Sequence, residues 1–478
     1  MGTGVPLRHQ LLRRKPVRAF AVEAEADSGG LRRSMGVFQL TMIGIGGTIG
    51  TGIFFALNTT VPKAGPAVIL SFVLGAVTAA LTALCYAELA SAVPVAGSSY
   101  SYAYATLGEL AAVAVGWCLL LEYAVSAGVI AVTWGQYLND LTQRLFGAQL
   151  PAVISAPPGN GGYLNLPAVV LVGLCCLLLV RGARESAVVN TVMVLLKLAI
   201  LVLFVVVGAA GFDAGNLEPF APMGFAGIGA AAATVFYSFI GLDTVSTAGE
   251  EVRNPRRTLP LAILCALLVI TAVYVLVALV GVGAQPWTAF EGQSAGLSAI
   301  LAKVTGMGWP GPVFSAGVVI SVVSVILIVL YGQTRILYAM GRDGIIPPVF
   351  CRIEPRRGTP VTGTVLVGGF VALIAAVVPL DALANLTSMG ALVAFAVVSL
   401  GVIILRRREP DLPRGFRVPG YPVVPLLSIG CCAYLIYQLP PATYLLFGGW
   451  LALALAVYLL YSRHHSRLTA REEGKNAP

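Results

Sequence analysis

The stretch GIGGTIGTGIF, residues 44–54, lies inside a long apolar segment near the N-terminus, and five of its eleven residues are glycine. Each glycine costs about 1 kcal/mol relative to alanine in a helix, so a continuous helix is disfavoured here. If the helix breaks, the amides of Gly50, Thr51 and Gly52 head a new half-helix and suit a carboxylate, while the carbonyls that end the first half suit an ammonium. The alternative is close helix packing through Gly46 and Gly50.

The rest of the chain has the composition of a membrane protein. Of its 478 residues 58% are hydrophobic and only 11% are charged, whereas soluble chains have about half apolar and a quarter charged residues. Apolar windows of about 20 residues recur, which is the length of a helix that crosses a bilayer. These windows are continuous and lack period-two alternation, so they predict transmembrane helices and not a β-barrel.

We predict twelve such spans in an all-α integral membrane fold. In the first half of the chain they cover residues 36–59, 66–90, 110–138, 164–180, 186–208 and 224–247. In the second half they cover residues 259–282, 312–340, 361–378, 386–405, 423–438 and 444–461. A permease domain is therefore expected over residues 34–462, between two short tails.

Lysine and arginine predict the orientation, because short cytoplasmic loops hold the excess positive charge. With the N-terminus inside, 26 of the 30 basic residues are cytoplasmic, Lys63, Arg144 and Lys303 are external, and Lys197 lies within a span. Both termini are thus predicted to be cytoplasmic. The basic N-terminal tail, residues 1–33, is expected to be disordered. Its positive charge is expected to set the topology and to attract anionic lipid headgroups, and not to bind a nucleic acid. Residues 463–478 form the C-terminal tail.

The sequence predicts no metal site, no cofactor and no enzymatic activity. The eight cysteines offer no external pair for a disulfide framework. The three histidines, His9, His464 and His465, lie in the tails, and no cluster has the spacing of metal ligands. No nucleophile and base pair or P-loop is present either.

Three charged residues inside spans are candidates for function. Asp243 ends the sixth-span segment FYSFIGLD, residues 236–243, while Glu122 lies in the third span and Lys197 in the fifth. Lys197 lies about 17 Å into its window, near the bilayer centre. One interpretation is a static buried ion network, and the other is proton coupling, because a buried lysine beside carboxylates can load and release a proton. The aromatic run before Gly241 is either packing or a gate.

Several segments carry a family resemblance. Residues 85–104 (CYAELASAVPVAGSSYSYAY), 116–131 (GWCLLLEYAVSAGVIA), 236–257 (FYSFIGLDTVSTAGEEVRNPRR), 335–350 (RILYAMGRDGIIPPVF) and 411–422 (DLPRGFRVPGYP) occur in the order that the family has them. Together with the glycine-rich first span they resemble the amino acid, polyamine and organocation superfamily. Within it the chain is most similar to the cationic amino acid transporter family.

The resemblance implies a leucine-transporter-like fold. Spans one to five, about residues 36–208, and spans six to ten, about residues 224–405, would form inverted repeats. The last two spans, about residues 423–461, would be peripheral. Animal members carry two further spans, so a chain of twelve looks like the bacterial branch in a plasma membrane.

The resemblance also implies a set of site residues. The residues implied to hold the substrate carboxylate are Thr48, Gly50, Thr51 and Gly52. The carbonyls implied to bind the amino group belong to Phe236, Tyr237 and Ser238. Tyr237 occupies a gate position where the family commonly has phenylalanine. Lys197 matches a lysine that replaces a sodium ion in proton-coupled relatives, with Glu122 and Asp243 as further coupling candidates.

The expected function is secondary active transport of amino acids, in symport with protons. Two alternatives stay open at this point: an amino acid or polyamine exchanger without net proton coupling, and an amino acid sensor that does not transport. The substrate is either a cationic or a small neutral amino acid, because Glu122 and Asp243 could serve a cationic substrate or be engaged by Lys197. The expected partners are the amino acid, protons and membrane lipids.

Overall fold

The computed structural model describes residues 7–16, 35–50, 52–93, 97–158, 161–181, 187–247, 252–293, 295–306, 308–352, 354 and 360–468. Helices dominate this part of the chain. In the first half they are Leu7–Leu12 (α1), Val37–Thr48 (α2), Gly52–Ala64 (α3), Val68–Ala92 (α4), Ser98–Thr106 (α5), Glu109–Phe146 (α6), Leu166–Val180 (α7) and Ala187–Ala209 (α8). In the second half they are Gly224–Val235 (α9), Pro255–Ala284 (α10), Gly296–Thr305 (α11), Pro310–Arg342 (α12), Val361–Val377 (α13), Leu380–Arg408 (α14), Val423–Tyr437 (α15) and Pro441–Val457 (α16).

Eight helical segments in the described part of the chain are long and apolar enough to cross a membrane. They are Gly52–Ala92, Glu109–Phe146, Val188–Ala209, Gly224–Ser246, Pro255–Ala284, Pro310–Arg342, Leu380–Arg408 and Pro441–His465. Five further apolar helices, α2, α7, α11, α13 and α15, have 10–17 residues. The prediction of an all-helical, multi-pass membrane protein is confirmed, while the count of twelve spans and the inverted repeat stay predictions.

The helices turn apolar side chains outward and polar ones inward. On α8, Val188 is 71% exposed and Leu195 is 51% exposed, whereas Lys197 is fully buried. An apolar exterior around buried polar groups suits a lipid environment, in which each polar group must find its partner inside the protein. In the interior, α6 packs against α12 and α14, and α4 packs against α10.

Two helices of this bundle are interrupted. The first span ends as α2 at Thr48 and resumes as α3 at Gly52, and between them Ile49 has φ −74° and ψ 74°, outside helical geometry. In the sixth span α9 ends at Val235 and a 3₁₀ turn, Phe236–Phe239, follows. Gly241 then adopts φ +102°, a conformation that favours glycine. The break predicted from the glycines of the first span is confirmed.

The N-terminal tail differs from its predicted disorder over residues 7–16. This segment forms α1 and an extended stretch that packs on the helical domain. Arg13 bonds Glu109 through two guanidinium nitrogens at 2.7 and 2.9 Å, and Lys15 donates to Asp343 at 3.0 Å. These buried ion pairs join the segment to the helical domain, and Leu11 packs against the core beside them. Ser466 also donates to Glu109, so both chain ends meet at one end of the bundle, called here the termini end.

Candidate functional site

The two helix breaks touch each other through their backbones. A Cβ atom on Gly241 would lie 2.5 Å from the Gly47 carbonyl oxygen, and a Cβ atom on Gly52 would lie 2.7 Å from the Ser238 Cα atom. These distances leave no room for a side chain at either glycine. The glycines of the first span therefore break the helix, and Gly52 also lets the sixth span approach. The pair predicted for helix packing, Gly46 and Gly50, lies instead against Asn190 and Val325.

The backbone groups at the first break have identifiable partners. The Thr48 carbonyl accepts the Tyr274 hydroxyl at 3.1 Å and the Gly50 amide at 2.7 Å. In this structure the Gly50 amide, predicted to face a carboxylate, is thus turned toward Thr48. Amides in the first turn of a helix have no partner within that helix, so the α3 N-terminus at Gly52 remains the donor end. Thr51 lies outside the described residues.

At the sixth-span break, Tyr237 lies against the first span. Its ring centroid is 5.5 Å from that of Phe55, and its hydroxyl is 3.5 Å from the Ser126 hydroxyl on α6. The Tyr237 carbonyl accepts the Ile240 amide at 3.2 Å. The hydroxyl of Ser238 is buried without a hydrogen-bond partner among the described residues. Polar groups from three helices therefore converge beside the two breaks.

Lys197, on α8, stabilises the first break through a hydrogen bond to the end of α2. Its ammonium donates to the Gly46 carbonyl at 3.3 Å, inside the last turn of α2. Asn190, two turns away on α8, packs against the same residue: its side-chain oxygen would lie 2.8 Å from a Cβ atom on Gly46. A positive charge beside the carbonyls that end a helix is favourable, because the helix dipole is negative there.

The two buried carboxylates do not pair with this lysine. Both Glu122 carboxylate oxygens lack a hydrogen-bond partner in the described part of the chain. Asp243 accepts the Tyr123 hydroxyl at 3.2 Å through Oδ2, while its Oδ1 has no partner there. Glu122 therefore makes no hydrogen bond to Lys197 in this structure, and the choice between a static network and proton coupling stays a prediction. The sequence predicted how deep each of these charged residues lies along its helix, but it did not predict which side of the bundle each side chain faces.

Three residues of the site were not predicted from the sequence. Ser126 lies four residues after Glu122, so helical spacing places both on one face of α6, and this signal was available. Tyr123 and Tyr274 carried no local signal, because a tyrosine in an apolar helix is usually packing. No group of three or more His, Cys, Asp or Glu side chains that could hold a metal ion occurs within the described ranges.

Interrupted helices that face each other across buried polar groups, inside an apolar helical bundle, are typical of membrane transporters. A family comparison agrees with this class. The amino acid permease family model matches residues 35–458. The chain belongs to the amino acid permease family, a branch of the amino acid, polyamine and organocation superfamily.

Individual relatives resemble the chain over nearly its full length. The branched-chain amino acid permease BcaP of Bacillus subtilis is 42% identical over 97% of this chain and 100% of its own length. The methylthioribose transporter of the same organism is 41% identical over 96% of this chain and 99% of its own. Human cationic amino acid transporter 4 is 33% identical over 86% of this chain and 66% of its own length. These relatives are transporters and not enzymes.

Proposed function

We propose that the chain is a proton-coupled symporter of amino acids that works by alternating access, with both termini in the cytoplasm. The contact between the two helix breaks, at Gly47 with Gly241 and at Gly52 with Ser238, carries this proposal. A substrate bound there would join the two spans that must move relative to each other. The leucine-transporter-like repeat, about residues 36–208 and 224–405, would supply that motion.

In this proposal the substrate carboxylate binds at the positive N-terminal end of α3, at Gly52 with Thr48, Gly50 and Thr51. The amino group binds the carbonyls of Phe236, Tyr237 and Ser238. Tyr237 covers the site with its ring and offers its hydroxyl. A polyamine has no carboxylate and should compete poorly.

Lys197 is proposed as the coupling group. When protonated it donates to the Gly46 carbonyl and holds α2 in the arrangement that favours substrate. When the proton leaves, the hydrogen bond weakens, and the first span is freed to open toward the cytoplasm. Proton affinity and substrate affinity are then reciprocally linked. Glu122 and Asp243 are the next candidates, because a carboxylate buried without a partner carries its charge at high cost.

For the substrate class we favour a neutral amino acid with a branched apolar side chain. Apolar side chains border the break: Val325 lies 3.2 Å from a Cβ atom on Gly50, and the Phe55 ring packs on Tyr237. The name of the Bacillus relative BcaP points the same way. Methylthioribose is a second candidate because its transporter is almost equally similar, at 41% identity. A sugar of that kind has no carboxylate for the helix end to bind.

The test is uptake of labelled leucine into proteoliposomes with and without a pH gradient that is acidic outside. We expect the gradient to concentrate leucine and unlabelled leucine to compete far better than methylthioribose, arginine or putrescine. Gly50→Leu should abolish binding, because Val325 leaves no space for the new side chain. Gly173→Leu is the matched control, since no atom lies within 4 Å of a Cβ atom there. Uptake indifferent to the gradient but dependent on internal substrate would identify an exchanger instead.

A further inference from the structure

A small cavity lies beside the sixth-span break. It is enclosed by α4, α10, α14 and the broken segment of the sixth span. Its lining includes Ala83, Tyr86, Phe239, Asp243, Ile263 and Phe395. The wall is therefore mostly apolar, and its polar members are Thr82, Tyr86 and Asp243.

Two of these polar residues, Tyr86 and Asp243, each have an atom without a partner among the described residues. Asp243 Oδ1 and the Tyr86 hydroxyl are buried and make no hydrogen bond to any described residue. Buried polar atoms are nearly always satisfied, by protein or by ordered water. The cavity leaves about 10 Å³ for a water centre, which is the space that one water needs. One water between these two atoms would satisfy both.

The other polar groups around the cavity come from three elements. From α6, Glu122 lies within electrostatic range of Tyr86, and Tyr123 already donates to Asp243 Oδ2. From α5, the Ser99 hydroxyl faces that of Tyr86. On α4 itself, Thr82 is engaged with the Thr78 carbonyl and with Ser428. The helices α10 and α14 contribute Ile263 and Phe395, so they bring no charge to the cavity.

We propose that this cavity is a water site, and that Tyr86 positions the water as the first carrier of a proton leaving or reaching Asp243. The inference rests on the proposed proton coupling, makes Asp243 a second proton-exchanging group beside Lys197, and adds a route that the site residues themselves do not supply. Because Asp243 Oδ2 is occupied by Tyr123, the free Oδ1 is the oxygen that exchanges its proton with the cavity.

The proton balance is simple. The O–H bond of the protonated Asp243 carboxyl breaks, its electron pair stays on Oδ1, and a new O–H bond forms on the water oxygen. The water passes one proton to the Tyr86 hydroxyl, and Tyr86 passes its own proton to a second water on the side of the termini end, from which it reaches solvent. Each hydroxyl gains one proton and loses one. Only the carboxyl and the solvent change their protonation.

The direction of this route follows from the helices that carry it. Tyr86 lies six residues before the end of α4 at Ala92, about 9 Å from the termini end. Glu122 lies thirteen residues into α6, about 20 Å from the same end. Helix α5, which carries Ser99, is buried along its whole length beside these helices. Tyr86 and Ser99 therefore lie between the carboxylates and the termini end, the side proposed to be cytoplasmic.

The test compares Tyr86→Phe, which removes only the hydroxyl, with Tyr102→Phe as a matched control. The Tyr102 hydroxyl is also buried without a partner among the described residues, and its ring packs 6.1 Å from that of Tyr86, but it does not line the cavity. In proteoliposomes Tyr86→Phe should slow leucine uptake driven by a pH gradient about tenfold or more, the scale of a lost proton-transfer group. Leucine counterflow at equal pH should change less than about twofold. Tyr102→Phe should leave both unchanged.

Infrared difference spectroscopy gives a second measurement, which would not change if Tyr86 had only a structural role. The C=O stretch of the protonated Asp243 carboxyl, assigned with Asp243→Asn, should shift in Tyr86→Phe and in the cavity-filling variant Ala83→Val, but not in Tyr102→Phe. Equal loss of uptake and counterflow in Tyr86→Phe would make Tyr86 structural and overturn the proposal. An unchanged uptake and carboxyl band would overturn the water route while leaving the coupling intact. A wild type that ignores the pH gradient would overturn the coupling, and the route with it.

Discussion

The buried carboxylate Glu109 at the termini end has many hydrogen-bond partners, whereas the buried carboxylate Glu122 at the centre of the bundle has none among the described residues. Glu109, at the start of α6, accepts hydrogen bonds from two Arg13 nitrogens and from Tyr104, Tyr458 and Ser466. Glu122 lies thirteen residues further along the same helix, about 20 Å away. Neither of its carboxylate oxygens has a hydrogen-bond partner in the described part of the chain. Both residues are at most 1% exposed.

This difference separates groups that hold the structure from groups that are poised to change. A buried ion pair whose remaining lone pairs are satisfied has one stable protonation state. A buried carboxylate without a partner is costly when charged, so it responds to its surroundings. Substitutions at the two regions should therefore affect different measurements: stability at the termini end, and coupling at the centre.

The largest loss of stability is expected for Glu109→Gln. This change leaves the buried Arg13 guanidinium without its charge partner, and removing one member of a buried ion pair costs about 3–5 kcal/mol. The melting temperature in detergent should fall further than for the other variants below. Leucine uptake per folded molecule should stay coupled to the pH gradient. A stable protein that has lost only its coupling would contradict the structural role given to Glu109.

A smaller loss is expected for Arg406→Met. Arg406, in the last turn of α14, donates to Glu88 through Nε at 2.7 Å, which joins the end of α14 to the end of α4. Without it, Glu88 keeps the Val418 amide at 2.7 Å and Arg414 at 3.4 Å. Only part of the pairing is lost, so about 1.5–3 kcal/mol is expected, the scale of a hydrogen bond to a charged group. A drop as large as that of Glu109→Gln would show that the remaining partners do not compensate.

The smallest loss among the paired ions is expected for Arg144→Met. Arg144 and Asp140 are one turn apart on α6, and their side chains are 22% and 19% exposed. Such partly exposed pairs contribute about 0.5 kcal/mol or less. Asp140 also keeps the hydroxyls of Ser298 and Ser315, at 2.7 and 2.6 Å. The melting temperature should be nearly that of the wild type, and a large decrease would argue that the pair is shielded from water.

At the centre, Glu122→Gln should leave stability within about 0.5 kcal/mol of the wild type or raise it, since no partner is broken and a buried charge is removed. Proton-driven leucine uptake should nevertheless fall, while leucine binding persists. Thermal melting and uptake, measured on the same preparation, separate the two effects. If Glu122→Gln destabilises as strongly as Glu109→Gln, the contrast between the two regions is wrong.

The sequence predicted those features of the fold that depend on residues close together in the chain. The break at residues 44–54 could be predicted because glycine weakens a helix locally, and the apolar windows predicted the helical membrane fold. Pairings between distant residues could not be predicted. Arg13 and Glu109 are 96 positions apart, and Lys15 and Asp343 are 328 apart, so composition predicted disorder for residues 7–16, which pack on the helical domain.

The same limit applies to Lys197. Counting residues along a helix gives the depth of a charge, but it does not say which neighbouring helix the charge faces. Lys197 faces the Gly46 carbonyl, and the carboxylates face α5, α14 and the sixth-span break. The cavity at Asp243 likewise required four elements to be placed together before its two unsatisfied atoms could be recognised.

The central claim is that Lys197 couples proton movement to the substrate site, and Lys197→Met tests it most directly. Methionine keeps most of the apolar stem and removes the charge that donates to Gly46. Lys303→Met, at an exposed lysine, is the control. We expect Lys197→Met proteoliposomes no longer to concentrate leucine on a pH gradient, and leucine binding to lose its pH dependence, while Lys303→Met behaves as the wild type. A Lys197→Met protein that still concentrates leucine on the gradient would contradict the account and move the coupling proton to Glu122 or Asp243.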